Sequence, residues 1–206
     1  IVIIGLILAH AANNMMNDFF DTLHGVDTEG YPRTEYGPHA IIDNLISTKG
    51  LILAIFLCNL VDLIIAIYFY QKVGVEIFYF VFAGLGISIF YVAKPIRLKN
   101  LGLGELAIGL VYGPLMVGGT FMALTGESFG SPALNNAFLV SIPFGLTVMT
   151  MSIGKHMDKY EADYAKPIYT LPVIIGIKWA SRVCQFTIIL FFILSLFSVI
   201  EGHYAM

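Results

Sequence analysis

The chain has 206 residues, of which 58% are hydrophobic and only 12% charged, for a formal net charge of −3. Soluble domains carry about 25% charged residues, so this composition excludes an ordinary soluble fold, and it lacks the basic excess of a nucleic-acid binder. With a mean hydropathy of +0.83, the chain reads as an all-α polytopic transmembrane helix bundle, its apolar stretches of ~20 residues fitting spanning helices. Cys58 and Cys184 both fall in apolar runs and read as buried thiols, with neither a disulfide framework nor metal spacing.

Six spans follow in chain order, over residues 1–16, 49–70, 75–93, 105–124, 133–153 and 180–200. Each must satisfy its own backbone hydrogen bonds in lipid. No repeat or low-complexity linker divides them, so residues 1–206 are expected to form one membrane domain. Ile1 already lies inside an apolar run, and the chain reads as a fragment whose first span is cut.

Loop charge sets the expected topology. The connections 17–48, 94–104 and 154–179, with their helix ends, hold Arg33, Lys49, Lys94, Arg97, Lys99, Lys155, Lys159, Lys166, Lys178 and Arg182. Ten of the eleven basic residues therefore share one side, with Lys72 opposite, which assigns that side to the cytoplasm. Most acidic residues lie there too, while the opposite loops carry only Glu76 and Glu127.

The first span runs into NNMMNDFFD, residues 13–21. On a helix Asn14, Asn17, Asp18 and Asp21 form one polar stripe, with His10 a turn behind. Carboxylates at a membrane boundary repel and desolvate one another unless they face water, a cation or each other. Their hard oxygens suit Mg²⁺, which also binds substrate phosphates; a solvated helix end is the other reading. A second cluster, GKHMDKYEADYAKPIYTLPV, interleaves Asp158 and Asp163 with Lys155, Lys159 and Lys166. It suits a second Mg²⁺ and anionic oxygens, or a solvated charged loop. Between the two, KPIRLKNLGLGE supplies Lys94, Arg97 and Lys99, fitting a phosphate-rich ligand or positive-inside anchoring. Together the three segments describe a site for a diphosphate neutralised by magnesium.

NDFFDTLHGVD (17–27) resembles the first aspartate-rich motif of the UbiA superfamily of intramembrane prenyltransferases, in the N-D-x-x-D-x-x-x-G-x-D form of its menaquinone-type branch. RLKNLGLGEL followed by YGPLMVGGT resembles that family's loop and next helix, and DKYEADYAKPIYTLPV its second motif. The resemblance implies nine transmembrane helices around a central cavity open to lipid, the six spans here matching the second to the seventh. It also implies a reaction. Mg²⁺ held by both motifs binds a polyprenyl diphosphate, the allylic C–O bond ionises, and an electron-rich acceptor traps the carbocation.

Carried over by position, Asn17, Asp18, Asp21, Asp27, Asp158 and Asp163 are expected metal ligands, with Asp21, Asp163 and Lys99 central to catalysis. Arg33, Lys94, Arg97, Lys99, Lys155, Lys159 and Lys166 are expected to bind the diphosphate. Asn14, Tyr91 and Tyr112 are expected at the cavity wall, where the tyrosines can shield a carbocation or simply pack. The second motif departs from the family: its aspartates are five apart rather than four, which on a helix leaves them about 140° apart. Met157 stands where an arginine often precedes the first aspartate.

Several features stay outside these motifs. Asp62 and Asn59, mid-span, suit an interhelical hydrogen bond or an acceptor-side role. His39, after Pro38, reads as a solvated loop residue. Gly118 and Gly119 permit close packing or leave room for a prenyl chain. An aromatic quinone-precursor acceptor fits best; a glycerol phosphate or tetrapyrrole acceptor, or a catalytically degenerate subunit of a membrane complex, stays open. A CDP-alcohol phosphotransferase is disfavoured because Thr22, not glycine, follows Asp21, and transporter sites lie mid-membrane rather than at one surface.

Overall fold

In the computed structural model, which describes residues 1–203, every regular element among those residues is helical. Helix α1 (Val2–Leu23) runs through the whole polar stripe, well beyond the expected end at residue 16. It continues because Asp18 and Asp21 meet cations from other segments instead of needing water. A short α2 (Pro32–Glu35) follows, then α3 (Thr48–Val73), which starts where the Ser47 hydroxyl accepts from Gly50 N at 3.1 Å. Helix α4 (Ile77–Val92) leads into a 3₁₀ turn, Leu98–Leu101.

The next span is interrupted. Helix α5 (Gly104–Leu110) and α6 (Met116–Thr125) are joined by a π turn, Val111–Leu115, that contains Pro114. The long α7 (Pro132–Asp158) packs against it through small residues: a Cβ on Gly145 would lie 2.5 Å from the Gly109 carbonyl oxygen. Close backbone approach of this kind replaces the hydrophobic drive that lipid does not supply. Short α8 (Tyr160–Tyr164) and α9 (Leu171–Ile175) then precede α10 (Ile177–Ile200).

All six expected spans fall on helices. Four stretches, Thr48–Val73, Gly104–Thr125, Pro132–Asp158 and Ile177–Ile200, are long and apolar enough to cross a membrane, and Ile77–Val92 is apolar but shorter. Helix α1 packs on α3, and α7 on α10. The outward faces of α3 and α10 leave Phe56, Ile64, Phe186, Phe192 and Leu196 exposed, as lipid-facing walls require. Cys58 and Cys184 are free and only half-buried rather than buried, because both stand on these outer helices.

Contacts divide the two ends of the bundle. Side chains of the loops after α1, α4 and α7 interlock at one end, through Lys99–Asp21, Tyr31–Asp163 and Tyr36–Asp158. At the other, Phe129 N donates to Glu76 at 2.9 Å and Asn136 Nδ2 to the His203 carbonyl at 2.9 Å. The segments with most of the charge thus share one end.

Candidate active site at the charged end of the bundle

The last turn of α1 presents Asp18 and Asp21. Immediately afterwards, the backbone amides of Val26 and Asp27 both donate to the Asp21 carbonyl, at 2.8 and 3.2 Å. This tight return places Asp27 beside Asp18, within one cluster that also includes His39.

Each carboxylate is held by a different partner. Arg33 Nη2 is shared between the two oxygens of Asp18, at 3.0 Å from each, a charge-assisted contact made through a single nitrogen. Buried Asp21 pairs with buried Lys99. Lys99 is swung inward by a turn that enters through Arg97 in the left-handed region (φ +51°) and leaves through Gly102 (φ +67°). A Cβ on Gly102 would also lie 2.6 Å from Ile174. Burial opposes the Lys99 charge, but Asp21, Tyr91 and Asp27 together outweigh it and hold the ammonium above the usual lysine range. Asp27 is pushed up from the ordinary carboxylate range, first by burial and then by the neighbouring Asp21 charge.

His39 corrects an expectation. It is fully buried, not solvated. Its Nδ1 accepts from the backbone amides of Ile41 and Ile42 at 3.3 and 3.2 Å, so the proton sits on Nε2 and is donated to Asp27 at 3.1 Å. With Nδ1 occupied and Nε2 protonated, His39 orients Asp27 and leaves cation binding to oxygen.

The second motif answers its unusual spacing by breaking the helix. Helix α7 stops at Asp158, Lys159 leaves the helical region (φ −97°, ψ 9°), and α8 begins at Tyr160. Asp163 is turned fully inward and accepts from the Tyr31 hydroxyl, with Thr170 Oγ1 at 3.5 Å. Asp158 is exposed and accepts from Tyr36. Lys166 and Lys159 lie over the Tyr31 ring at 4.6 and 5.5 Å. Burial, then the Asp163 bond, raises the Tyr31 pKa, so the phenol keeps its proton. Lys159 is lowered by burial and then by Lys99.

The other expected residues are distributed unevenly. Asn17 is half-buried on the stripe, whereas Lys94 and Lys155 stand exposed. Arg97 Nε is buried with no hydrogen-bond partner among the described residues. Lys166 donates to the Val26 carbonyl at 2.7 Å and to Thr28 Oγ1 at 3.1 Å, fastening the second motif to the first. Asn14 donates to His10 at 3.2 Å, and His10 bonds Tyr112 at 2.6 Å. Tyr112 lines a cavity between α1, α3, α4 and α6, of which Asn14 and Tyr91 are not part.

Sequence reading missed Tyr31, His39 and a buried Glu105–His156 pair at 2.6 Å. Glu105 lies in the GLGE turn, but no local pattern names its partner or those of Tyr31 and His39, which lie 51, 132 and 12 residues away.

Four carboxylates, Asp18, Asp21, Asp27 and Asp163, supply hard oxygen donors, and His39, the imidazole grouped with Asp18 and Asp27, is turned to orient rather than ligate. That donor set fits a hard divalent cation such as Mg²⁺. The fold and this site define an integral membrane protein of the polytopic helical class, with a buried acid–base cluster at one end of the bundle. The UbiA prenyltransferase family matches residues 1–206, and the chain belongs to that family. It is similar to UbiA prenyltransferase domain-containing protein 1 of Dictyostelium discoideum, 27% identical over 180 residues, covering 86% of this chain and 53% of the relative. The chain thus spans about half the length of that relative. No solved structure matches it.

Proposed function

We propose that the protein transfers a polyprenyl group from a prenyl diphosphate to an aromatic, quinone-precursor acceptor in the membrane, with Mg²⁺ and with the charged end facing the cytoplasm. Residues 1–206 act as a single transmembrane prenyltransferase-like domain. The observation that carries this reading is the mixing of charges: Asp18, Asp21, Asp27 and Asp163 lie interleaved with Arg33, Lys99, Lys159 and Lys166 at one end of a lipid-facing bundle.

Asp18, Asp21, Asp27 and Asp163, with Asn17, are the residues that would hold Mg²⁺, and the ion would neutralise the diphosphate as its charge grows in the transition state. Arg33 and Lys99, now paired with Asp18 and Asp21, are placed to turn from carboxylate to phosphate oxygens. Their positive charge then favours heterolysis of the allylic C–O bond, in which pyrophosphate departs with the bonding electrons. In a site sheltered from water such fixed charge is worth about 3–4 kcal/mol per well-placed donor. The acceptor's ring carbon forms the new C–C bond to the allylic cation and then loses its proton. Tyr31, protonated and fixed on Asp163, keeps that carboxylate oriented.

The test uses the full-length protein in lipid vesicles with labelled geranylgeranyl diphosphate and candidate acceptors, in Mg²⁺ or chelator. Mg²⁺-dependent product that is lost in Asp21→Ala supports the reading and identifies the acceptor. Consumption of a glycerol phosphate or a tetrapyrrole instead would move the acceptor assignment. No Mg²⁺-dependent diphosphate binding would sink the proposal.

A further inference from the structure

The buried Glu105–His156 pair has no part in the reaction as described, yet it lies against both halves of the acidic cluster. A Cβ on Gly104, the residue before Glu105, would lie 3.0 Å from Lys99 Cα and 3.1 Å from the Tyr91 ring. On the other side the Leu171 amide donates to Glu105 Oε1 at 3.3 Å, and the hydroxyl of the preceding Thr170 is 3.5 Å from Asp163. His156 comes two residues before Asp158 on α7, about 3 Å nearer the middle of the bundle by helical rise. Its charged neighbours besides Glu105 are Lys99 and Lys159. The pair thus sits just below the carboxylates, toward the apolar body of the bundle.

Its chemistry follows from which atoms are already used. Glu105 is fully buried, and an ionised carboxylate has no proton to give. His156 Nδ1 therefore donates to Oε1 at 2.6 Å, and the neutral ring carries its lone pair on Nε2. That nitrogen makes no hydrogen bond among the described residues, and it is not sealed off: the 7% of the side chain that stays accessible includes it. Glu105 Oε2, by contrast, is buried with no hydrogen-bond partner. A neutral amide in its place would hold Leu171 as well but would allow either tautomer of His156. The charge, kept at the cost of an unmet oxygen, commits Nε2 to accepting.

The reactants differ in what they can offer that nitrogen. A diphosphate presents acceptor oxygens, which a lone pair repels, and an isoprenoid chain has no polar hydrogen. Of the reactants, the acceptor is the one that can bring an O–H. Resting on the transferase reading above, we propose that His156 is an acceptor-binding residue, with Glu105 as its positioning residue, and that Nε2 recognises a hydroxyl on the acceptor ring. The acceptor is then taken in its hydroxyarene form rather than as the oxidised quinone. The same hydrogen bond shifts electron density from the O–H toward the ring, which favours attack on the allylic cation.

The experiment measures equilibrium binding of 1-naphthol, and of its methyl ether, which lacks the proton. It uses the full-length protein in nanodiscs with Mg²⁺ and an unreactive thio analogue of geranylgeranyl diphosphate, corrected for uptake by empty nanodiscs. The wild type should favour the naphthol about tenfold, the scale of one buried hydrogen bond. Glu105→Gln/His156→Phe removes both members together, so no charge is stranded; it should bind the two compounds equally and keep Mg²⁺-dependent diphosphate binding. Glu105→Gln alone, which preserves the Leu171 contact, should cut the preference by about twofold or more, because both tautomers become available. Equal binding of naphthol and ether by a wild type that still forms prenylated product would overturn this inference alone, as would a preference undiminished in either variant. Absence of Mg²⁺-dependent diphosphate binding in the wild type would overturn the transferase reading and this inference with it.

Discussion

Lys99 and Asp21 form a buried ion pair that ties the loop after α4 to the last turn of α1, with both side chains almost fully out of solvent. Removing one partner strands the other charge, which typically costs about 3–5 kcal/mol. Lys99→Met should therefore lower the thermal midpoint in detergent markedly. The double variant Lys99→Met/Asp21→Asn should recover most of that loss and stay inactive, which separates the pair's structural cost from its part in the reaction.

The Asp27–His39 contact bears on pH. Because burial raises the Asp27 pKa, this carboxyl keeps its proton to a higher pH than an ordinary aspartate. A cation binds the ionised form, so Mg²⁺ uptake should release protons, and affinity should fall on acidification before pH reaches the usual carboxylate range. Calorimetry in two buffers of different ionisation enthalpy would measure the release. Asp27→Asn should weaken binding and shift what pH dependence remains to lower pH.

Tyr31 donates to the fully buried Asp163. Tyr31→Phe keeps the ring beneath Lys166 but removes the donor, leaving a buried acceptor unmet at a cost of about 1–3 kcal/mol. Turnover should drop with it, while Tyr36→Phe, which touches the exposed Asp158, should change stability by less than ~1 kcal/mol. Parallel melting curves and product assays would show whether the two tyrosines differ in this way.

Gly102 allows the turn that aims Lys99 inward. Alanine there meets both a positive φ and Ile174, and should destabilise by about 1–3 kcal/mol. Shortening Ile174 to alanine in the same chain should relieve the clash but not the backbone strain, giving partial rescue in thermal unfolding.

The spans, their order and the gathering of charge at one end were legible because they follow from local composition. Twenty apolar residues must become a helix in lipid, and a 3.6-residue period puts Asn14, Asn17, Asp18 and Asp21 on one stripe whatever surrounds them. Where the chain breaks was only partly legible: the five-residue Asp158–Asp163 interval signalled a departure, and the structure answers it at Lys159. What tertiary structure alone decided was the partner of each charge. His39 looked solvated and is buried on Asp27, Tyr31 carried no motif and holds Asp163, and Asp62 keeps an oxygen unpaired beside a cavity. A carboxylate's neighbours come from segments up to 132 residues away, and burial and pairing are properties of that assembled environment, which no spacing within one segment encodes.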